Sequence, residues 1–281
     1  MIMRASSTAS LVKFRRLIWS YYRAHGRAMP WRARITPYRI TVSEIMLQQT
    51  QVERVTKKFP EFIAAFPDFR ALAYAPLPRV LRAWQGMGYN RRAVSLTRIA
   101  ECVLREFGGR LPRDPAVLES LPGIGHATAN SIAAFAFNAP VAFIETNIRR
   151  VFIHHFFPNR KNVSDKEIMP LIEAALDHTR PREWYWALMD YGAMLGRELG
   201  RENPNRRSVH YVRQPKFEGS VRQVRGAVLK QLIRKSALSV AELRRATGAR
   251  GTRLKKALAG LAAAGLVRKI GARYRIKNAR P

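Results

Sequence analysis

Apolar residues return every three or four positions through most of the first 200 residues, the spacing of helices with one buried face. Leu11, Phe14, Leu17, Ile18 and Tyr21 place an entry helix over 9–25, closed by His25-Gly26-Arg27. The prolines of Met29-Pro30-Trp31-Arg32 and Thr36-Pro37-Tyr38 predict loop. From Thr41, the positions Val42, Ile45, Val52, Val55 and Phe59 predict one helix to about Phe59, where Pro60 breaks or kinks it. Glu44, Gln48 and Gln51 form a separate polar stripe on that helix, with Ser43-Glu44 near its positive dipole end. Further helices are expected at about 68–75, 77–85 and 91–107, the last two joined by the glycine-hinged loop Gly86-Met87-Gly88-Tyr89-Asn90-Arg91-Arg92. Pro122 closes the segment 114–120, and Gly123 and Gly125 let the chain reverse before an Ala-rich helix over 126–137. Helices at 147–157, 165–178 and 182–199 complete a first domain, 1–199, with little strand.

The pattern then changes. Residues 200–218 are polar and rich in Gly, Pro and Asn, a linker by composition. In 219–281, helices fit Val221–Ile233, Val240–Ala246 and Thr252–Ala264, and the alternation from Leu266 to Ile276 predicts a hairpin. Three helices and a basic two-stranded tip make a winged-helix-like α+β domain. The fold class expected is mainly α, with this small unit at the C-terminal end. Arg253, Lys255 and Lys256, just after Arg250, would be its groove-facing cations.

Charge narrows the function. Against 19 Asp+Glu stand 51 Lys+Arg, a formal net charge of +32, and residues 201–281 alone hold 22 basic and 3 acidic side chains. Such a surplus repels itself unless a polyanion neutralises it, so nucleic acid is the natural partner and an anionic membrane surface the competitor. No apolar run reaches spanning length and no signal-peptide core is seen, so a cytoplasmic protein is expected, nucleoid-associated if bacterial, and without membrane contact. Cys102 is the sole cysteine, which excludes an internal disulfide and a cysteine-held zinc or iron–sulfur site. No metal is expected from the histidines either, because His154 and His155 are adjacent and should point apart on a helix.

Candidate chemistry gathers at 121–147. A Gly-x-Gly turn before a helix aims N–H groups at a phosphate oxygen, here through Gly123, Gly125 and His126. Glu145 follows an apolar run and precedes Thr146-Asn147, good N-cap types. Tyr89 in its glycine loop suits base stacking, and the alternative for that loop is a plain connection with a solvated Arg91-Arg92 pair.

Several runs, in order, resemble the signatures of the helix-hairpin-helix DNA glycosylases, and most closely the adenine-specific mismatch glycosylases of the MutY type. They are Met29-Pro30-Trp31-Arg32, Val42-Ser43-Glu44-Ile45-Met46-Leu47-Gln48-Gln49-Thr50-Gln51-Val52, Trp84-Gln85-Gly86-Met87-Gly88-Tyr89, Leu121–Gly125 and Met189-Asp190-Tyr191-Gly192-Ala193-Met194. The resemblance implies two helical lobes and a monomeric enzyme of base excision repair acting on double-stranded DNA with a mispaired or damaged base. It makes Glu44 the general acid, Glu145 the carboxylate facing the oxocarbenium-like sugar, and Asn147 its polar support. Gln49 and Tyr89 match wedging side chains, Gln48, Leu47 and Thr50 their DNA-facing neighbours, and Trp31, Arg32 and Trp186 the base pocket. Ala127 stands where bifunctional relatives carry a lysine nucleophile, so no Schiff base is expected. The hairpin is the one place where the resemblance admits a structural alkali cation. Four departures matter: Glu145 replaces an Asp, Trp186 replaces a Gln or Glu, the four-cysteine cluster loop is absent after Gly196, and the tail differs from the family's lesion-inspecting domain. Thymine or uracil opposite guanine stays open as a substrate, as does a non-catalytic DNA-binding protein on the same scaffold.

Overall fold

The computed structural model describes residues 8–212 and 217–277. The predicted linker residues 213–216 and the last four residues of the predicted C-terminal domain lie outside them. The chain crosses between two compact units, one made of 1–40, 113–119 and 125–213, the other of 41–112, 120–124 and 214–281.

In the first unit, α12 (Pro181–Glu198) is the central helix, packing on α10 (Thr146–Phe156), α1 (Thr8–His25) and α9 (His126–Phe137). It buries Trp184, Tyr185, Ala187, Leu188 and Leu195, too many positions for a single stripe, as expected of a helix enclosed by others. Gly192 sets its approach to α10, since a Cβ there would stand 2.5 Å from the Asn147 carbonyl oxygen. Along α1 only Phe14 and Ile18 are buried, and Leu17 is exposed. Pro30–Ala33, predicted as loop, form the short helix α2 with Pro30 in its first turn, where a missing N–H costs nothing. Helix α11 (Asp165–Ala175) ends in the Arg15 guanidinium, which donates to the carbonyls of Ala174, Ala175 and Leu176 at 2.8–2.9 Å. His154 and His155 do not point apart: their rings meet edge to face at 4.8 Å, and burial pulls the His155 pKa down to about 4.

Nor is the predicted linker free in its first half. It forms two 3₁₀ turns, Gly200–Glu202 and Pro204–Arg207; the second packs on α10, and Val163 pairs with Ser208 in a parallel bridge. The Gly, Pro and Asn content that suggests a linker serves tight turns here.

In the second unit, the helix expected over 41–59 is two. Helix α3 (Pro37–Leu47) stops before a turn at 48–51, and α4 (Val52–Ala65) follows. Pro60 lies inside α4 without ending it, because buried Val55, Phe59 and Phe62 hold the helix against α6 (Leu77–Ala83). Helices α5 (Phe69–Ala73) and α7 (Arg91–Glu106) pack together beside them. In the C-terminal part, α13 (Val221–Arg234), α14 (Val240–Thr247) and α15 (Gly251–Ala263) surround an antiparallel sheet of order β1-β3-β2. The predicted hairpin is β2 (Val267–Ile270) with β3 (Arg273–Ile276), and Leu238–Ser239 add an unforeseen β1. By backbone proximity this segment joins 41–112 in one unit, with α13 packed on α6.

Candidate functional site

Helix α8 (Pro115–Ser120), a turn at 121–125 and α9 form the predicted hairpin. Gly123 is required twice over: its φ is +82°, and a Cβ would lie 2.6 Å from Ser95 Oγ. Gly125 is different from the expectation. Its φ of −101° suits any residue, and nothing stands within 4 Å of a Cβ, so its contribution is a bare surface at the α9 N-cap. The N-cap of α9 is Gly125, which has no side chain to cap the helix, and an uncapped helix N-terminus is where an anion is welcome. Exposed His126 sits beside them, its Nδ1 3.1 Å from Glu119 Oε2.

Glu145 itself, and neither Thr146 nor Asn147, is the N-cap of α10. Its Oε1 accepts the N–H of Asn147 at 2.7 Å and of Ile148 at 3.0 Å, while Oε2 has only a long 3.4 Å contact with Asn147 Nδ2. One oxygen therefore anchors the side chain and the other keeps most of its accepting capacity. Burial pushes this carboxyl above the ordinary Glu range, against the two N–H bonds and the Arg150 and Arg149 charges. Arg149 is already clamped by Asp165, two bonds at 2.7 Å. Arg150 Nη1 donates to Asn147 Oδ1 at 2.7 Å and to the Gly192 carbonyl at 2.5 Å.

Asp190, a residue to which sequence reasoning assigned no role, organises the predicted pocket edge. It is 1% exposed and accepts from the Arg27 N–H and from both the Arg27 and Arg32 guanidiniums at 2.8–2.9 Å. Burial works against its charge, but the Arg32 bonds and the two positive charges hold its pKa below the usual Asp value. Trp186 stacks on Phe135 with planes 17° apart, and the Arg32 guanidinium lies 5.1 Å from its ring centroid. Trp31 is buried in the same unit.

The second unit holds the other predicted residues. Glu44 is half-buried near the C-terminal end of α3, so it does not sit at the positive dipole end: the helix begins at Pro37, seven residues before Glu44, and not at Thr41. Gln48, Gln49 and Thr50 lie in the turn beyond, off the helix they were expected to share with Glu44, and Gln49 takes a left-handed φ of +53°. Leu47, half-buried, is the last residue of α3.

What ends α3 is Arg92, which was expected to be solvated or to face DNA. It is 8% exposed, and its Nη1 donates to the carbonyls of Ile45, Met46 and Gln48 at 2.5–3.0 Å. Its Nη2 reaches Thr50 Oγ1 and the carbonyls of Met87 and Gly88 at 2.9–3.2 Å. One guanidinium thus ties the 48–50 turn to the glycine loop, and burial pulls its pKa down to about 10. The signal available in the sequence was that residue 92 lies on the face of α7 carrying Leu96, Ile99 and Val103. Tyr89, at the loop tip, has φ +44°, is 39% exposed, and its hydroxyl accepts from Arg222 at 3.1 Å.

Residues 42–176 match the family described as "HhH-GPD superfamily base excision DNA repair protein". The matched stretch makes up 135 of the chain's 281 residues. An adenine DNA glycosylase of Buchnera aphidicola subsp. Baizongia pistaciae is 35% identical over 184 residues, which are 65% of this chain and 52% of that protein. One from Mycobacterium tuberculosis is 42% identical over 136 residues, 48% of this chain and 44% of the relative. The chain thus spans about half the length of the curated relatives it matches. Among solved structures, a thermostable thymine-DNA glycosylase superposes with a TM-score of 0.59 and 25% identity, covering 66% of this chain and 87% of that one.

The HhH-GPD stretch contains Glu44, the 48–50 turn, Tyr89, the hairpin, Glu145 and Asn147, whereas Trp186 and the tail lie beyond it. In the first unit the structure brings together Glu145 with Asn147, and Arg32 with Trp186; in the second, Thr50 is joined through Arg92 to the Tyr89 loop. Outside the HhH-GPD stretch, Arg250 is the N-cap of α15, and Arg253, Lys255 and Lys256 are exposed while Leu254, Ala257 and Leu258 are buried. No acid offsets cations at the start of that helix, where each costs about 0.3–1 kcal/mol.

Proposed function

We propose that the chain is a monofunctional DNA glycosylase of base excision repair, hydrolysing a flipped-out, mispaired base. The carrying observation is Glu145, a carboxylate fixed at a helix N-cap by one oxygen with the other largely uncommitted. Glu44 donates a proton to the departing base as the C1′–N bond breaks, and Oε2 of Glu145 faces the positive charge that grows on the sugar. Water then adds at C1′ and loses its proton to a carboxylate, which leaves an abasic site and the free base. The bare α9 N-terminus holds a backbone phosphate, Tyr89 and Gln49 fill the vacated stack, and the exposed α15 cations dock on flanking duplex.

Ala127 offers no amine at the hairpin, so the abasic strand stays intact. An iron–sulfur cluster, which the resemblance implies, does not fit: four thiolates are needed and Cys102 is alone. Adenine in a mispair is the default substrate, supported by the names of the relatives. Trp186 favours thymine or uracil opposite guanine as the second reading, because a stacked indole cannot supply the paired donor and acceptor that an adenine edge asks for. A panel of duplexes with single mispairs, scored for alkali-labile sites after incubation with the protein, tests both. Cleavage at A opposite G or 8-oxoguanine supports the first, cleavage at T or U opposite G the second, and none on any duplex refutes both.

A further inference from the structure

We propose that Asn203 and Asn205, in the turn that follows α12, are positioning residues for Glu145; this rests on the role just given to that carboxylate. Asn205 Nδ2 donates at 2.9 Å to the carbonyl of Thr146, the residue directly after Glu145. Asn203 Oδ1 accepts from Arg150 Nε and from the Asn205 N–H, both at 3.1 Å. Arg150 in turn holds Asn147 Oδ1, and Asn147 supplies both an N–H and its amide to Glu145. The residues flanking the cap are thus fixed by a segment more than 50 positions away in sequence.

The segment is itself anchored. Val163 N–H donates to the Arg207 carbonyl at 2.8 Å, Val209 N–H to the Val163 carbonyl at 3.1 Å, and Arg207 Nη1 to the Pro158 carbonyl at 2.6 Å. Space for the Arg150 fork comes from α12, where a Cβ on Gly196 would stand 2.7 Å from Arg150 Nη1. Charged groups around the cap are Arg149 and Arg150 on α10. Asp165 occupies Arg149 from α11, His210 lies 3.7 Å from that Asp165, and Asp190 on α12 is tied to Arg27 and Arg32.

The two asparagines are used in opposite ways. Asn203 serves as an acceptor, which an aspartate reproduces. Asn205 serves as a donor, which an aspartate cannot, and its own Oδ1 is buried with no protein partner. A turn that only fastened the chain would show no such contrast in catalysis.

The test compares full-length wild type with Asn203→Asp, Asn203→Ala, Asn205→Asp and Asn205→Ala. Measured are the single-turnover rate at saturating duplex, the duplex Kd, and the Glu145 titration followed by carboxyl ¹³C NMR. Asn203→Asp should keep the rate within about twofold, while Asn203→Ala and Asn205→Asp should lose at least about tenfold with Kd little changed. In Asn203→Ala the Glu145 midpoint should move up, because Arg150 loses its acceptor on Asn203 and is held less firmly against Asn147. Equal impairment of Asn203→Asp and Asn203→Ala, or unimpaired rates throughout, would overturn the proposal. If wild type excises nothing from any duplex, the glycosylase reading fails on its own, and an unchanged Glu145 midpoint in Asn203→Ala then rejects the positioning role separately.

Discussion

Replacing Glu145 by Gln separates what this side chain does for the fold from what it does for chemistry. A Gln oxygen can still accept the N–H groups of Asn147 and Ile148, so the cap on α10 survives. Because burial holds the Glu145 carboxyl above its ordinary value of about 4.3, the folded state binds its proton more tightly than the unfolded state does. For such a group, stability falls as pH rises through the unfolded pKa toward the folded one, so at neutral pH the charge is a net cost. The neutral amide should therefore leave Tm unchanged or higher, whereas Glu145→Ala, which loses the cap, should cost about 1 kcal/mol and lower Tm by roughly 2–4 °C. Excision should respond in the other direction. Without a negative charge at the developing oxocarbenium ion, both variants should lose at least about a hundredfold in single-turnover rate. Wild-type activity should also decline on acidification at a pH above the ordinary Glu range, since the working form is the ionised one, and that limb should vanish in Glu145→Gln. Single-turnover rates against pH, beside differential scanning calorimetry, decide the matter. A Gln variant that excises at the wild-type rate would show that Glu145 is a helix cap and nothing more.

Other outcomes follow from the same geometry. Arg92→Met removes the donor to five main-chain carbonyls and Thr50, and should destabilise the protein by roughly 3–5 kcal/mol in urea unfolding; a loss under about 1 kcal/mol would mean that the turn does not depend on it. Changing Arg250, Arg253, Lys255 and Lys256 together to Gln should weaken duplex binding and make the log K against log salt slope shallower by roughly 0.9 per lost phosphate contact, and an unchanged slope would show that α15 does not touch DNA. Borohydride should trap no adduct at a rate matching base release, because residue 127 is Ala, and efficient trapping would reveal an amine nucleophile elsewhere.

Helical spacing carried most of the fold, because residues such as Phe59, Ile132 and Phe152 fall on buried faces wherever their helices begin or end. The hairpin was legible in Pro122-Gly123, and Gly123 does adopt the backbone angle that only glycine takes freely. Several misreadings share a cause: the deciding partner is distant in sequence. The 48–51 break is set by Arg92, more than 40 residues later, while Gln-Gln-Thr-Gln carries no local stop signal. Asn203-Pro204-Asn205 reads as linker until Arg150 and Thr146 are seen beside it. Glu145 was passed over as a cap because Thr and Asn are better local candidates, and Asp190 because its arginines lie on the far side of the sequence. The two-residue strand β1 is too short to leave any periodicity.

The central claim, that this chain severs a base from DNA with Glu44 as the proton donor, is tested most directly by counting free base. Wild type and Glu44→Gln should be incubated in excess over a duplex with one mispair, and the released base quantified by chromatography while duplex affinity is measured alongside. The account expects wild type to release one base per duplex, and Glu44→Gln to be slower by at least about a hundredfold with affinity little changed. Release by Glu44→Gln at the wild-type rate, or no release by wild type from any mispair, would contradict it.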